Sequence, residues 1–170
     1  MAESARSMKQ NNEVSKGHEG KYLTFSLAGE EYGVGILKVK EIIGVMPITL
    51  VPRTPDFLKG VINLRGKVIP VVDLRKKFGM DSIDTTGRTC IVVMEITAQG
   101  GSIFMGIVVD TVSEVLSIKA AEIEDSRSLG RGLDTDYILG MAKVNGGLKI
   151  LLDIDRIIGS EEIAVLNKAT

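Results

Sequence analysis

The sequence predicts a mainly β protein built from two small lobes, each a barrel of about five strands. One observation behind this fold class is an internal repeat, because residues 60–79 recur at residues 140–159 with glycines and an aspartate at matching places. The other is a series of short apolar segments separated by glycine-containing turns, a pattern typical of small barrels. Matched turn glycines mark matched backbone geometry, so the repeat indicates two copies of one architecture.

The repeat extends upstream, where residues 32–43 recur at residues 105–116. Each copy is about 60 residues long, which is too long for a solenoid repeat and suits a small domain. We therefore predict one domain at residues 21–159, made of two intertwined lobes at approximately residues 21–86 and 87–152. The second copy is longer than the first, and its extra residues are assigned to a polar loop at 119–136.

The first copy is predicted to follow a polar tail and to contain strands, turns and two short helices. Residues 1–20 carry almost no large apolar side chains and are predicted to be disordered. Thr54 is predicted to cap a short helix that ends at Gly60, and Asp73 is predicted to cap another that ends at Gly79. The strands are predicted at residues 22–27, 32–38, 49–51, 61–64 and 68–72, with turns at 28–31 and at Arg65-Gly66.

The second copy repeats this plan. Its last two strands form a predicted hairpin at Asn145-Gly146, because Asn-Gly readily supplies the positive φ angles of a two-residue turn. Asp153 is predicted to cap a helix in the place of Asp73. Residues 160–170 are predicted to form a C-terminal helix, with acidic residues near the positive end of its dipole. The strands are predicted at residues 90–96, 102–109, 115–118, 137–144 and 148–152.

Composition argues against several classes of function. The 170-residue chain has 44% hydrophobic and 25% charged residues, which is ordinary globular usage. Its net charge of −1 argues against nucleic-acid binding, and 4% aromatic residues without tryptophan argue against a base-stacking surface. The first 20 residues lack the apolar core of a signal peptide, and no apolar run reaches the ~20 residues that span a bilayer. We therefore expect a cytoplasmic protein that does not insert into membranes.

The sequence contains no recognisable catalytic or metal-binding motif. The only histidine, His18, lies in the predicted tail, and the single cysteine, Cys90, is expected to be a buried apolar residue. A nucleophilic serine or cysteine usually needs a basic partner, and both a phosphate-binding loop and metal-ligand spacing are missing. Asp73 and Asp153 are interpreted as helix caps rather than as a catalytic pair, and residues 122–125 as a solvated loop rather than as a cation site. We expect no enzyme and no cofactor, and an unrecognised active site is the alternative.

Arg65 is the position that departs most clearly from the repeat. A hairpin tip with positive φ favours Asn, Asp or Gly, and the second copy has Asn145 at this place. Arginine is a poor turn former but a strong anchor for a partner, because its planar guanidinium can bind a carboxylate through two hydrogen bonds. The mismatch favours a binding role for Arg65 over an exposed side chain without a role. Residues 35–44 also hold more apolar side chains than one buried face needs, which indicates either a partner site or a seam between the lobes.

Several segments resemble the CheW family of bacterial chemotaxis coupling proteins. Residues 30–44, EEYGVGILKVKEIIG, resemble the opening of the family's first lobe. Residues 57–79 contain its Asn-Leu-Arg-Gly turn at 63–66, followed by a Val-Asp-Leu-Arg run. Residues 105–118, MGIVVDTVSEVLSI, resemble its second-lobe motif. The resemblance covers about residues 21–167, with the motifs in the family's order.

The resemblance implies two SH3-like, five-stranded barrel lobes around an apolar seam. It also implies a non-enzymatic adaptor that links the cytoplasmic tips of methyl-accepting chemoreceptors to the regulatory domain of the histidine kinase CheA, which has the same fold. By position, Val39, Glu41 and Arg65 match residues tied to receptor or kinase contact, and Gly60 lies beside them. We expect a monomer when free, recruited from the cytoplasm to membrane-associated receptor arrays. A CheW-like coupling domain of a different receptor–kinase pathway is the alternative.

Overall fold

The computed structural model describes residues 18–98, 101–125 and 137–158 of the chain. The predicted disordered tail lies outside the described residues, apart from its last few positions. The greater part of the predicted loop at 119–136 and the predicted C-terminal helix at 160–170 also lie outside them. Within the described part of the chain, no helix combines the length and the apolar character needed to cross a bilayer.

The described residues form eleven strands and four short helical segments. The helical segments are two α-helices, α1 (Leu74–Lys77) and α2 (Ile154–Ile157), and two 3-10 helices, Ile36–Lys38 and Ala120–Glu122. The mainly β class predicted from the sequence is confirmed. In chain order the strands are β1 (Gly20–Leu27), β2 (Glu30–Gly35), β3 (Val39–Gly44), β4 (Leu58–Leu64), β5 (Lys67–Asp73), β6 (Cys90–Ala98), β7 (Gly101–Val109), β8 (Thr111–Ile118), β9 (Ile123–Asp125), β10 (Ile138–Val144) and β11 (Gly147–Leu152).

The strands make two sheets, which we call the first and the second lobe. The first lobe has the strand order β3-β6-β7-β5-β4, and the second has the order β8-β1-β2-β11-β10-β9. Most neighbours are antiparallel, whereas β5 pairs with β7 and β11 pairs with β2 in parallel. Two small sheets with few short helices agree with the SH3-like architecture that the resemblance implied.

The two lobes exchange hairpins between the two copies of the repeat. Gly33 on β2 lies opposite Leu151 on β11, and Gly106 on β7 lies opposite Val71 on β5. The opening hairpin of each copy (β1–β2 or β6–β7) therefore belongs to the same sheet as the closing hairpin of the other copy. The predicted division near residue 86 does not coincide with the sheets, because one cut in the chain cannot separate exchanged hairpins.

The apolar core has three parts. Alternation along the strands explains this division, since Ile91 and Val93 on β6 face the lobe interior while Val92 and Met94 face the seam between the sheets. The interior of the first lobe contains Ile62, Ile69, Val71, Ile91 and Val93. The interior of the second lobe contains Tyr22, Ile118, Ile123, Ala142, Val144 and Leu151. The seam includes Leu23, Phe25, Val34, Val72, Val92, Met94, Met105, Ile107 and Leu152.

The repeated glycines Gly60 and Gly140 admit a neighbouring backbone carbonyl. A Cβ atom on residue 60 would lie 2.1 Å from the carbonyl oxygen of Thr49, and one on residue 140 would lie 2.5 Å from that of Glu124. In each lobe a short edge segment crosses the glycine, and any side chain would collide with its backbone. These two glycines of the repeat therefore serve the architecture.

Several local predictions are wrong, among them the helix at 54–59 and the loop at 119–136. Residues 54–59 do not form a helix, because Leu58 already begins β4 and the Thr54 hydroxyl donates to the carbonyl of Val51. The amide of Asp73 donates to the carbonyl of Phe57 over 2.7 Å, which draws this segment into the sheet and leaves only a turn before it. The predicted loop at 119–136 begins instead with a 3-10 helix and β9, whose Ile123 is buried in the second-lobe interior.

Candidate partner-binding site

The β4–β5 hairpin carries Arg65 at its tip in a left-handed conformation. Arg65 and Gly66 have φ angles of 53° and 86°, and Asn145 and Gly146 of the β10–β11 hairpin have 52° and 77°. Both turns are thus of the predicted kind. The Asn63 side chain accepts a hydrogen bond from the Gly66 amide at 2.8 Å and holds the turn closed. An arginine at such an angle costs about 1 kcal/mol relative to ordinary backbone, so the tip is not optimised for folding alone.

Glu41 follows a β-bulge in β3. Val39 lies opposite Met94 and Glu41 lies opposite Val93, so Lys40 is the extra residue on β3. A bulge bends its strand and changes the direction in which the next side chains point. The Lys40 ammonium forms an ion pair with the Glu95 carboxylate at 2.9 Å.

Glu41 and Arg65 form a two-bond ion pair. Nη1 of Arg65 donates to Oε1 of Glu41 at 2.9 Å, and Nη2 donates to Oε2. The strands β3 and β4 lie at opposite ends of the first-lobe sheet order, so this pair joins the two edges of that sheet. The hydrogen bonds from Arg65 hold the pKa of the Glu41 carboxyl below its usual range, and the pKa of Arg65 is raised in return.

Arg65 is the more exposed partner of this ion pair. The Arg65 side chain is 70% exposed and that of Glu41 is 32% exposed. Val68, next to the tip on β5, is 61% exposed, and the ammonium of Lys67 lies 4.0 Å from the centroid of the Phe104 ring. The tip therefore presents a guanidinium with a fixed orientation beside apolar surface, which is the composition of an interface anchor.

The other two predicted site residues have different surroundings. Val39 is half-buried against the seam core, and its amide donates to the carbonyl of Ile36 at the end of the first 3-10 helix. Gly60 is buried on β4, where it admits the Thr49 carbonyl. The structure thus brings Glu41 and Arg65 together, places Val39 two residues before Glu41, and gives Gly60 a supporting role.

Sequence reasoning did not foresee the pairing of Glu41 with Arg65. The repeat contained a signal for it, since the second copy has Glu114 at the place of Glu41 but Asn145 at the place of Arg65. An asparagine cannot form an ion pair with a glutamate. The combination of a glutamate with an arginine therefore belongs to the first lobe and not to the shared architecture.

The two aspartates of the repeat have structural roles. Asp73 caps α1, since its Oδ1 accepts from the Lys76 amide at 3.4 Å and its Oδ2 accepts from the Ser82 hydroxyl at 2.6 Å. The predicted cap by Asp153 is wrong, because its side chain makes no capping hydrogen bond and lies 3.6 Å from Arg156 instead.

Two further observations bear on the enzyme alternative. Among the described residues no group of three or more His, Cys, Asp or Glu side chains is arranged to hold a metal ion. A groove of about 310 Å³ opens at the seam, with mostly apolar walls that include Tyr32, Phe78, Tyr137 and Ile150. The groove is not the polar pocket with a perturbed carboxylate that an unrecognised active site would require.

Comparisons with known proteins show similarity to one family. The family model described as the CheW-like domain matches residues 21–162. A chemotaxis protein CheW of Klebsiella aerogenes is 40% identical over 146 residues, which are 86% of this chain and 86% of that protein. A chemotaxis protein CheW of Thermotoga maritima is 35% identical over 150 residues, or 86% and 91% of the two chains.

A solved structure shares the fold. The scaffolding protein TtCheW of Thermoanaerobacter tengcongensis matches with a TM-score of 0.74 and 35% sequence identity, covering 85% of this chain and 95% of that one. The match of the family model spans both sheets, the β4–β5 hairpin and both α-helices. On the evidence of its sequence motifs, its two sheets with exchanged hairpins and these relatives, the chain belongs to the CheW-like domain family.

Proposed function

We propose that this protein is a non-enzymatic adaptor that couples methyl-accepting chemoreceptors to the histidine kinase CheA in chemotaxis signalling arrays. The observation that carries the proposal is the exposed Glu41–Arg65 ion pair at the first-lobe hairpin, which the second lobe does not duplicate. The relatives named as chemotaxis proteins and the neighbour named as a scaffolding protein support the adaptor role.

The proposed contact surface consists of Val39, Glu41 and Arg65, with Gly60 supporting β4, the strand that leads to Arg65. Glu41 occupies two terminal N–H groups of Arg65 and fixes the plane of its guanidinium. A guanidinium has five N–H donors in all, so donors are left over for a partner's carboxylate or carbonyl. Because the orientation is set before binding, less side-chain entropy is lost when the partner docks.

Coupling requires two partners on one body. An adaptor that binds the cytoplasmic tip of a receptor and the regulatory domain of the kinase raises the effective concentration of one at the other. It changes kinase activity only if it binds one state of the kinase more tightly than the other. We place the adaptor in the cytoplasm, as a free monomer that receptors recruit to membrane-associated arrays.

Co-sedimentation tests the proposal. Receptor cytoplasmic fragments assembled on vesicles should bring down CheA only when the unaltered protein is present. Arg65→Glu should abolish this recruitment, because the reversed charge repels Glu41 and cannot anchor the same partner group. Asn145→Glu places the same charge on the matching tip of the second lobe and should leave recruitment intact. Recruitment of CheA that is independent of the unaltered protein, or equal loss with both variants, would contradict the proposal.

A further inference from the structure

Two polar clamps join the lobes, one at each α-helix. In the first clamp, Nε of Arg75 on α1 donates to Oδ1 of Asp110 at 2.8 Å, and Nη2 donates to Oδ2 at 2.5 Å. Oδ2 of Asp110 also accepts from the amide of Ala28 at 2.9 Å. This clamp ties α1, which follows β5 of the first lobe, to the ends of β7 and β1.

The second clamp has Asp155 of α2 at its centre. Oδ1 of Asp155 accepts from the amide of Thr97 at 2.9 Å, and Oδ2 lies 2.7 Å from the ammonium of Lys38. The same ammonium donates to the Thr97 hydroxyl at 3.1 Å. Thr97 lies on β6 beyond Met94, where β3 has its first partner, so the carboxylate supplies an acceptor that β3 does not reach.

The two clamps occupy matching places with opposite charges. Arg75 and Asp155 are the second residues of α1 and α2, and the helices follow the repeat-related strands β5 and β11. The helix contributes the cation in the first clamp and the anion in the second. Both clamps tie the sheets together, but only the second holds Lys38, the residue directly before Val39.

We propose that Asp155 is a positioning residue for the partner-binding strand, an inference that rests on the proposed adaptor function. Asp155 connects the backbone of β6 to Lys38, the last residue of the 3-10 helix from which β3 begins. Val39 and Glu41 follow within three positions of that contact. Fixing Lys38 therefore fixes the point from which β3 presents Val39 and Glu41.

The experiment compares Asp155→Ala with Asp110→Ala, a matched variant of the clamp that lies away from the partner-binding strand. Affinities for a chemoreceptor cytoplasmic fragment and for the CheA regulatory domain are measured by titration calorimetry, and melting temperatures are measured alongside. Asp155→Ala should weaken at least one affinity by roughly threefold to tenfold, the range expected from loss of a hydrogen-bonded ion pair whose side chains are 35% and 31% exposed. Asp110→Ala should lower the melting temperature at least as much and leave both affinities unchanged.

Two further measurements separate positioning from general destabilisation. Asp155→Asn keeps an acceptor for the Thr97 amide but loses the charge that holds Lys38, so its affinity should fall with that of Asp155→Ala. Amide exchange of Val39, measured without any partner, should accelerate in Asp155→Ala and not in Asp110→Ala. Equal affinity losses in both clamp variants, or unchanged affinity and unchanged Val39 exchange in Asp155→Ala, would overturn the inference. Failure of the unaltered protein to bind either partner would instead overturn the adaptor function.

Discussion

Arg75 on α1 and Asp110 at the β7–β8 corner form a hydrogen-bonded ion pair that ties the helix after β5 to the junction of the two lobes. Both side chains are mostly buried, at 15% and 20% exposure. The hydrogen bonds from Arg75, helped by the Ala28 amide, lower the pKa of Asp110, while partial burial acts in the opposite direction.

This pair makes stability depend on pH. Because the pKa of Asp110 is lower in the folded than in the unfolded protein, its carboxylate stabilises the fold above an unfolded pKa of about 4. That stabilisation declines as the pH falls through the lower, folded pKa. Asp110→Asn should therefore reduce the free energy of unfolding by about 1–3 kcal/mol at pH 7, and the difference should shrink in acid. Urea unfolding at pH 7 and near pH 3 measures both values, and a difference that grows in acid would contradict the assignment.

Replacing Arg65 by the residue of the second copy should separate folding from binding. Arg65→Asn should leave the free energy of unfolding unchanged or raise it by up to about 1 kcal/mol, because asparagine adopts left-handed backbone more readily. Receptor or kinase affinity should fall by roughly tenfold or more, as for an interface anchor. Thermal unfolding and titration calorimetry measure the two effects.

The reverse exchange is the control. Asn145→Arg should destabilise the second hairpin slightly and leave affinity unchanged. If Arg65→Asn instead loses stability in proportion to affinity, the arginine is structural.

Gly60 should tolerate no side chain. Gly60→Ala places a Cβ 2.1 Å from the Thr49 carbonyl oxygen and requires alanine at a φ of 144°. The backbone must shift, and we expect a loss of roughly 2–4 kcal/mol in the free energy of unfolding. Gly87→Ala is the matched control, because nothing lies within 4 Å of a Cβ there. Denaturant unfolding of both variants checks the prediction, and equal stabilities would show that the Thr49 segment is free to move away.

Thr24 should be essential to the bulge between β1 and β8, whose pairing register shifts between Leu23 and Phe25. Its side chain is fully buried, donates to the Glu114 carbonyl at 2.9 Å and accepts from the Glu114 amide at 3.2 Å. Thr24→Val keeps the shape but leaves both backbone groups without a partner, which should cost about 1–3 kcal/mol. Thr24→Ser keeps the hydroxyl and should lose less. A valine variant as stable as the serine variant would indicate that water satisfies the bulge.

The repeat made much of the fold predictable. The matched glycines correctly indicated two copies of one architecture, and the positive φ angles of Arg65 and Asn145 followed from turn chemistry alone. Local sequence signals were less reliable where a contact with a distant residue determines the secondary structure. Thr54 and Pro55 are a strong helix start in isolation, but the Asp73 amide draws Phe57 towards the sheet.

The sequence predicted intertwined lobes, but neither the identity of the exchanged hairpins nor the Glu41–Arg65 pair was predicted, and the reason is the same. Both depend on which distant segments meet, and a single sequence contains little information on strand partners. The available signal was that the first copy has a glutamate and an arginine of opposite charge, whereas the second copy has the uncharged Asn145 at the place of the arginine. That comparison identified Arg65 as a candidate and left its partner unidentified.

The exchanged hairpins also set an order of assembly during synthesis. The first-lobe sheet is made from one continuous stretch, from β3 to β7, and can form once residue 109 has left the ribosome. The second-lobe sheet needs β2, made early, and β11, made near the end of the described chain. The edge of β2 in the N-terminal hairpin therefore stays unpaired until β11 emerges. During that interval its exposed edge is the part of the nascent chain most open to wrong strand pairing and to chaperone capture.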